Sequence, residues 1–197
     1  EREETLWLLR QRTGGKRMTI NHSLYTYYKR FWPSRPELFA KGYDDKPPQL
    51  CYSSPETLRQ VVQDARDYFD GKLDSAEAFS NVPAKYKTDV FPVFPMDNHS
   101  WCKCAECQAQ LKPRAERGSG HFSNDRASEY IFGFVNKVAR EIKKTHPDKF
   151  VGAGTYSEFC YPPKNLEPNV MVALCLHSRM VYAPEIMKND KIILDAW

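Results

Sequence analysis

The 197-residue sequence predicts an α/β fold in which one parallel sheet of about six strands is covered by helices. Three observations predict it. Strand-like and helix-like segments alternate along the chain. The runs FVGAGT (Phe150–Thr155) and VMVALCL (170–176) are near-continuously apolar, as strands buried on both faces must be. Polar and aromatic residues follow directly on the strand ends, where α/β proteins place their chemistry. Two architectures satisfy this order: part of a (β/α)8 barrel, or a complete open doubly wound sheet. A full barrel takes about 250 residues, more than this chain has. No GxGxxG or Walker sequence marks the open sheet as a nucleotide binder.

The elements follow in order. Residues 5–12 (TLWLLRQR) read as the end of a helix stopped by Gly14 and Gly15, and 16–21 (KRMTIN) as a strand delivering His22 to its tip. Residues 24–48 form a long aromatic, proline-punctuated loop with one helical turn at 36–40; a loop of this length in a domain is usually functional. Residues 49–52 are a short strand. Ser54 and Pro55 open a helix as N-cap and first residue, and Leu58, Val61, Val62, Ala65 and Phe69 follow its period up to Gly71. Residues 90–96 are the next strand, kept short or irregular by Pro92 and Pro95.

Residues 97–127 are a loop. The helix 128–144 follows, with Ile131, Phe134, Val135, Val138, Ala139 and Ile142 as one apolar stripe, Asn124 or Asp125 near its start, and His146-Pro147 ending it. The strand Phe150–Thr155 delivers Tyr156 and Glu158. The strand 170–176 delivers His177 and Arg179, after which 177–190 holds little helix. The strand 191–194 (KIIL) delivers Asp195 and Trp197.

Composition bounds the function. Hydrophobic residues make up 41% and charged residues 27%, ordinary for a soluble domain, while 13% aromatics are rich enough to line a sugar- or base-binding cleft. A net charge of +4, with the basic clusters at 10–17, 112–117 and 140–149 mixed with acids or on helices, argues against nucleic acid. No apolar run approaches a membrane span, and EREET is no signal peptide.

The most informative stretch is FPVFPMDNHSWCKCAECQ, residues 91–108. Asp97, at a strand tip and flanked by Asn98, His99 and Trp101, has the makings of a general acid or of a group orienting a substrate amide; a loop carboxylate capping a turn is the plainer alternative. Glu158 and Asp195 are candidates for a second carboxylate, against the plainer reading of solvated side chains. His22, His177 and Arg179 lie beyond other strands, suited to sugar hydroxyls or a carboxylate, and Tyr156 and Trp197 could stack on a sugar ring. Trp32 and Trp101 are weaker stacking candidates.

Cys102, Cys104 and Cys107, spaced C-x-C-x-x-C, offer three thiolates at zinc spacing, with His121, His99 or Cys160 as the fourth ligand. A disulfide, Cys104–Cys107 or Cys102–Cys107, is the alternative. Either would staple the loop beside Asp97, with no cofactor expected for catalysis. Cys51 and Cys175, in apolar runs, read as buried free thiols.

Taken together, the ordered set resembles a known family: the Gly-Gly strand ending in NHS, RPELFA, QLCYSSPE opening a helix, FPMDNHSWCKCAEC, EYIFGFVNKVAREIKKTHPDK, and GAGTY followed by YPP. It is similar to the bacterial domain-of-unknown-function family 4838, a set of glycoside-hydrolase-like TIM barrels. Part of that group is glycoside hydrolase family 163, endo-β-N-acetylglucosaminidases acting on N-glycans, and the barrel looks related to α-glucuronidases and hexosaminidases. The resemblance implies an incomplete (β/α)8 TIM barrel in one domain over 1–197, a fragment of a larger parent with other domains. It implies a carbohydrate substrate, a periplasmic or extracellular location, and glycoside hydrolysis with Asp97 at the strand tip. A non-catalytic sugar-binding barrel and a zinc-stabilised interaction module are the alternatives.

Overall fold

The computed structural model describes residues 18, 21–79, 88–177 and 183–197. The segments expected at 5–12 and, apart from Met18 and Asn21, at 16–21 lie outside these residues, as does Arg179. The chain runs through α1 (Thr26–Phe31), α2 (Pro55–Phe69), α3 (Ser75–Ala78), β1 (Val90–Pro92), α4 (Ala105–Gln108), α5 (Ser128–Thr145), β2 (Phe150–Thr155), β3 (Val170–Leu174) and α6 (Pro184–Ala196).

Among the described residues the sheet is open and has three parallel strands in the order β1-β2-β3. This overturns the (β/α)8 barrel of about six strands. Among the described residues, the two expected strands that do not form, 49–52 and 191–194, each have a local cause. Residues 49–52 contribute only one antiparallel bridge, Leu50 to Phe39. Residues 191–194 lie within α6. Pro184 occupies the first turn of that helix, and Asn189, Asp190 and Ile193 are buried at helical spacing while Ile192 and Leu194 face outward. A three-residue apolar run is compatible with either structure; the proline start and the burial of Asn189, Asp190 and Ile193 on one side decide for helix. Residues 177–190 thus hold more helix than expected.

The helices with the clearest pattern form as the sequence requires. Ser54 accepts a hydrogen bond from the Thr57 backbone N–H at 3.5 Å and Pro55 fills the first turn of α2. Phe132, Phe134, Val135, Val138, Ala139 and Ile142 are buried on α5, which packs on α2 and β2. Each large apolar side chain so buried contributes about 1.5–3 kcal/mol. Asn124 and Asp125 do not cap α5; the N-cap position is Ala127. α1 is tied to α2 by a bidentate Arg30–Asp64 pair at 2.6 and 2.9 Å, with Asp64 buried. In the middle of β2, Gly152 lets β1 approach: a Cβ there would lie 2.9 Å from Val90 Cγ1.

The strands are parallel, so their C-terminal ends share one edge. Residues 93–99, the turn Ser157–Phe159 and residues 175–177 leave from it, and the candidate site is built there.

Candidate functional site

Asp97 sits five residues beyond β1, with its side chain 52% exposed. Its backbone N–H donates to the Tyr25 hydroxyl at 3.1 Å. Its carboxylate oxygen lies 3.6 Å from His22 Nε2. The other ring nitrogen, His22 Nδ1, is 2.6 Å from the Pro95 carbonyl. A carbonyl only accepts, so Nδ1 carries the hydrogen and Nε2 is the nitrogen presented to Asp97. The His22 ring is fixed by stacking on Phe94 at 5.0 Å and by an edge contact with Tyr156 at 5.6 Å. The Asp97 carboxylate also lies near Tyr156; burial and that negative charge push the phenol up from its usual pKa.

His99 is exposed, and its Nε2 is 2.5 Å from Ser157 Oγ. Ser157 is fully buried with φ of +50°, a conformation that L-residues adopt rarely and at a cost. Beyond Tyr156 the edge opens into a cleft of about 520 Å³ lined by Phe122, Tyr156, His177 and Asp190, among others.

The remaining candidates lie elsewhere. Glu158 holds Arg126 with both carboxylate oxygens, at 3.1 and 2.9 Å, and accepts the Trp101 Nε1–H at 2.7 Å. Glu158 and the buried Trp101 are therefore spent on each other and on Arg126. Asn98 donates to the Pro48 carbonyl and accepts from Gln49 and Ser100, which commits it to shaping its loop. Asp195 is at the end of α6, paired on the exposed surface with Lys191, and Trp197 donates to the Cys160 carbonyl at 2.8 Å. Neither follows a strand, because the strand expected before them is a helix. Trp32 packs edge-on against Phe39 in the aromatic loop.

The cysteines form a second centre. Cys51, Cys102, Cys104 and Cys107 bring their sulfurs within 4.8 Å of one another, and this cluster could hold a metal ion. Cys51 Sγ is 3.5 Å from Cys102, 3.7 Å from Cys107 and 3.9 Å from Cys104. Four thiolates about 2.3 Å from a tetrahedral zinc would be spaced about 3.8 Å apart, so the donor set fits that ion. A disulfide would need about 2.05 Å; all six cysteines are free, so neither expected disulfide is formed. The fourth member is Cys51 rather than His121, His99 or Cys160. Cys51 was expected to be an isolated buried thiol. It is buried, but its sulfur faces the knuckle from a segment 51 residues away in sequence. Cys175 is exposed rather than buried.

Contacts with the Cys107 and Cys51 sulfurs, with help from the Lys41 N–H at 3.2 Å, hold the Cys102 thiol down to about 3. The same contacts push Cys51 far up. Sulfurs this close oppose successive ionisations unless a cation is present. The cluster also staples the loop beyond Asp97 to residues 41–53. Lys103 N–H donates to the Lys41 carbonyl, Tyr43 to the Trp101 carbonyl, and Cys107 to Ser53 Oγ.

Sequence reasoning did not find Tyr25, Phe122, Ser157, Asp190 or the role of Cys51. Only Cys51 carried a signal: the knuckle lacked a fourth ligand, and Cys51 stands three residues before a helix N-cap.

Comparison with curated proteins and with solved structures finds no match. A family model described as a domain of unknown function (DUF4838) matches residues 7–193. The match covers nearly the whole chain, including the Asp97 edge and all four clustered cysteines, and the chain belongs to that family.

Proposed function

We propose that this domain binds glycans and hydrolyses a glycosidic bond at the C-terminal edge of its sheet, on a sugar that carries a 2-acetamido group. The observation that carries the reading is Asp97, an exposed carboxylate 3.6 Å from His22 Nε2 and near Tyr156. Most glycoside hydrolysis uses two facing carboxylates. Glu158 is occupied by Arg126 and Trp101, and Asp195 is on α6. A substrate acetamide removes the need for the second carboxylate, because its carbonyl oxygen can itself attack the anomeric carbon. In this scheme Asp97 accepts the acetamide N–H and aims the carbonyl. His22 in its imidazolium form, with Nδ1–H held by the Pro95 carbonyl, gives its Nε2 proton to the leaving oxygen, and the neutral Nε2 then takes a proton from the water that completes hydrolysis. Among the described residues Asp97 is the one exposed acid at this edge, which also favours a second reading, glycan binding without turnover.

The reading extends to the cysteine cluster, as a structural zinc site that fixes the loop carrying Asp97 and His99. It implies action outside the cytoplasm, in the periplasm or beyond, where glycans are met, and assembly with other domains of a parent chain.

The test is hydrolysis of aryl N-acetylglucosaminide and of N-glycans. Asp97→Asn is expected to lower turnover at least a hundredfold with an unchanged Tm, since its side chain is half exposed. Full turnover in that variant sinks the role of Asp97. Glycan binding without turnover in the unmodified chain selects the second reading.

A further inference from the structure

The cleft beyond Tyr156 is not explained by Asp97. Its wall is Phe122, whose ring is 49% exposed and yet fixed. Edge contacts hold it against Tyr156 at 5.5 Å and His177 at 5.6 Å, and His99 lies 5.7 Å away. The loop that carries it is pinned to α6: Asn189 Nδ2 donates to the Ser123 carbonyl at 2.9 Å and Asn189 Oδ1 accepts from Tyr161 at 2.7 Å. Leaving a large apolar ring open to water but immobilised makes a ready platform for a ligand with an apolar face.

The polar side of the cleft is equally built. Asp190 is 5% exposed. One of its oxygens accepts the His177 backbone N–H and the other lies 3.5 Å from His177 Nδ1. Ser123 Oγ approaches the same nitrogen at 3.4 Å. Serine, histidine and aspartate are therefore not a nucleophilic triad, which would need the serine and the acid on opposite nitrogens. Asp190 instead orients the imidazole, and Nε2 is left for the cleft.

We infer that Phe122 and His177 form a second sugar subsite, with Asp190 as the positioning residue. Phe122 stacks on the apolar face of a pyranose ring and His177 Nε2 meets a hydroxyl. Tyr156 belongs to both sites: its ring touches His22, which faces Asp97, at 5.6 Å and Phe122 at 5.5 Å. The two sites thus adjoin through the Tyr156 ring, and about 520 Å³ accommodates an added sugar ring. The ligand is an oligosaccharide of at least two units. This inference rests on the glycan reading of Asp97.

The test is calorimetric titration of the chain with N-acetylglucosamine and with its β-1,4-linked dimer. The dimer is expected to bind at least about tenfold tighter than the monomer, the gain from one further stacked ring. Phe122→Ala is expected to bring the dimer to the affinity of the monomer, and Phe122→Tyr to restore the gain. A dimer no tighter than the monomer overturns the subsite, as does a Phe122→Ala variant that retains the full gain. If neither sugar binds, the subsite and the glycan reading fall together. If both bind with the expected difference while Asp97→Asn turns over normally, only the catalytic reading falls.

Discussion

Trp101 Nε1 donates to Glu158 Oε2 at 2.7 Å, joining the loop after β1 to the turn after β2. The bond runs from the residue beside Cys102 to a carboxylate already held by Arg126. Glu158 is thereby a clamp between the cysteine centre and the strand edge. Glu158→Ala removes the acceptor for a buried indole and the partner of Arg126, and is expected to cost about 2–4 kcal/mol. Glu158→Gln keeps an acceptor for Trp101 and should lose roughly half of that. Urea melts of the two variants check both figures. A Glu158→Ala variant as stable as the parent would remove the clamp.

Metal analysis of the purified chain is expected to give one zinc per molecule. Cys51→Ser should lose it, while Cys175→Ser, at an exposed thiol outside the cluster, should keep it. Chelation of the zinc is expected to lower Tm by more than about 10 °C, because binding of a structural zinc is folding free energy. A Cys51→Ser variant with full zinc content would return the fourth position to another residue.

Asp125 sets a pH dependence. Its side chain is buried, which by itself pushes the carboxyl up; hydrogen bonds from Lys112 at 2.6 Å, from the backbone N–H groups of Arg117 and Glu116 and from the Arg117 side chain outweigh burial and leave it below its usual value. The folded pKa is thus depressed relative to the unfolded chain. The stability it contributes is present above about pH 4 and is lost as the pH falls through the folded value. Asp125→Asn is expected to cost about 3 kcal/mol at pH 7 and progressively less below pH 4. Urea melts across that range measure it; a pH-independent difference would contradict the assignment.

Ser157 separates strain from contact. Glycine adopts a φ of +50° freely, so Ser157→Gly is expected to change stability by less than about 1 kcal/mol while releasing His99. Ser157→Val places a branched side chain in the same buried, left-handed position and should destabilise by more than about 2 kcal/mol. Thermal melts rank the two. Equal stability would show that the backbone there is unstrained.

Much of the helical frame was legible in the residues. The apolar stripes of α2 and α5 repeat at helical spacing and lie within single segments, so local pattern and tertiary burial agree. β2 was legible as an apolar run with two glycines, and Asp97 as the acid following a strand. The short run 191–194 was not, because three apolar residues fit a strand as well as the inner turn of a helix, and burial of Ile193 together with Asn189 and Asp190, at helical spacing, decides between them. The barrel failed with it and with residues 49–52, since a strand exists only where a partner pairs with it.

The sequence by itself determined where periodic elements lie, that three cysteines form a knuckle, and that an acid, an imidazole and aromatic rings gather near strand ends. These are properties of neighbours along the chain. Tertiary structure alone decided that Cys51 completes the cluster, that Glu158 is tied to Arg126 and Trp101, and that Asp97 meets His22 and Tyr156. Each of those pairings joins residues at least 32 positions apart. No local period encodes them; they follow from how parallel strands bring their C-terminal ends to one edge.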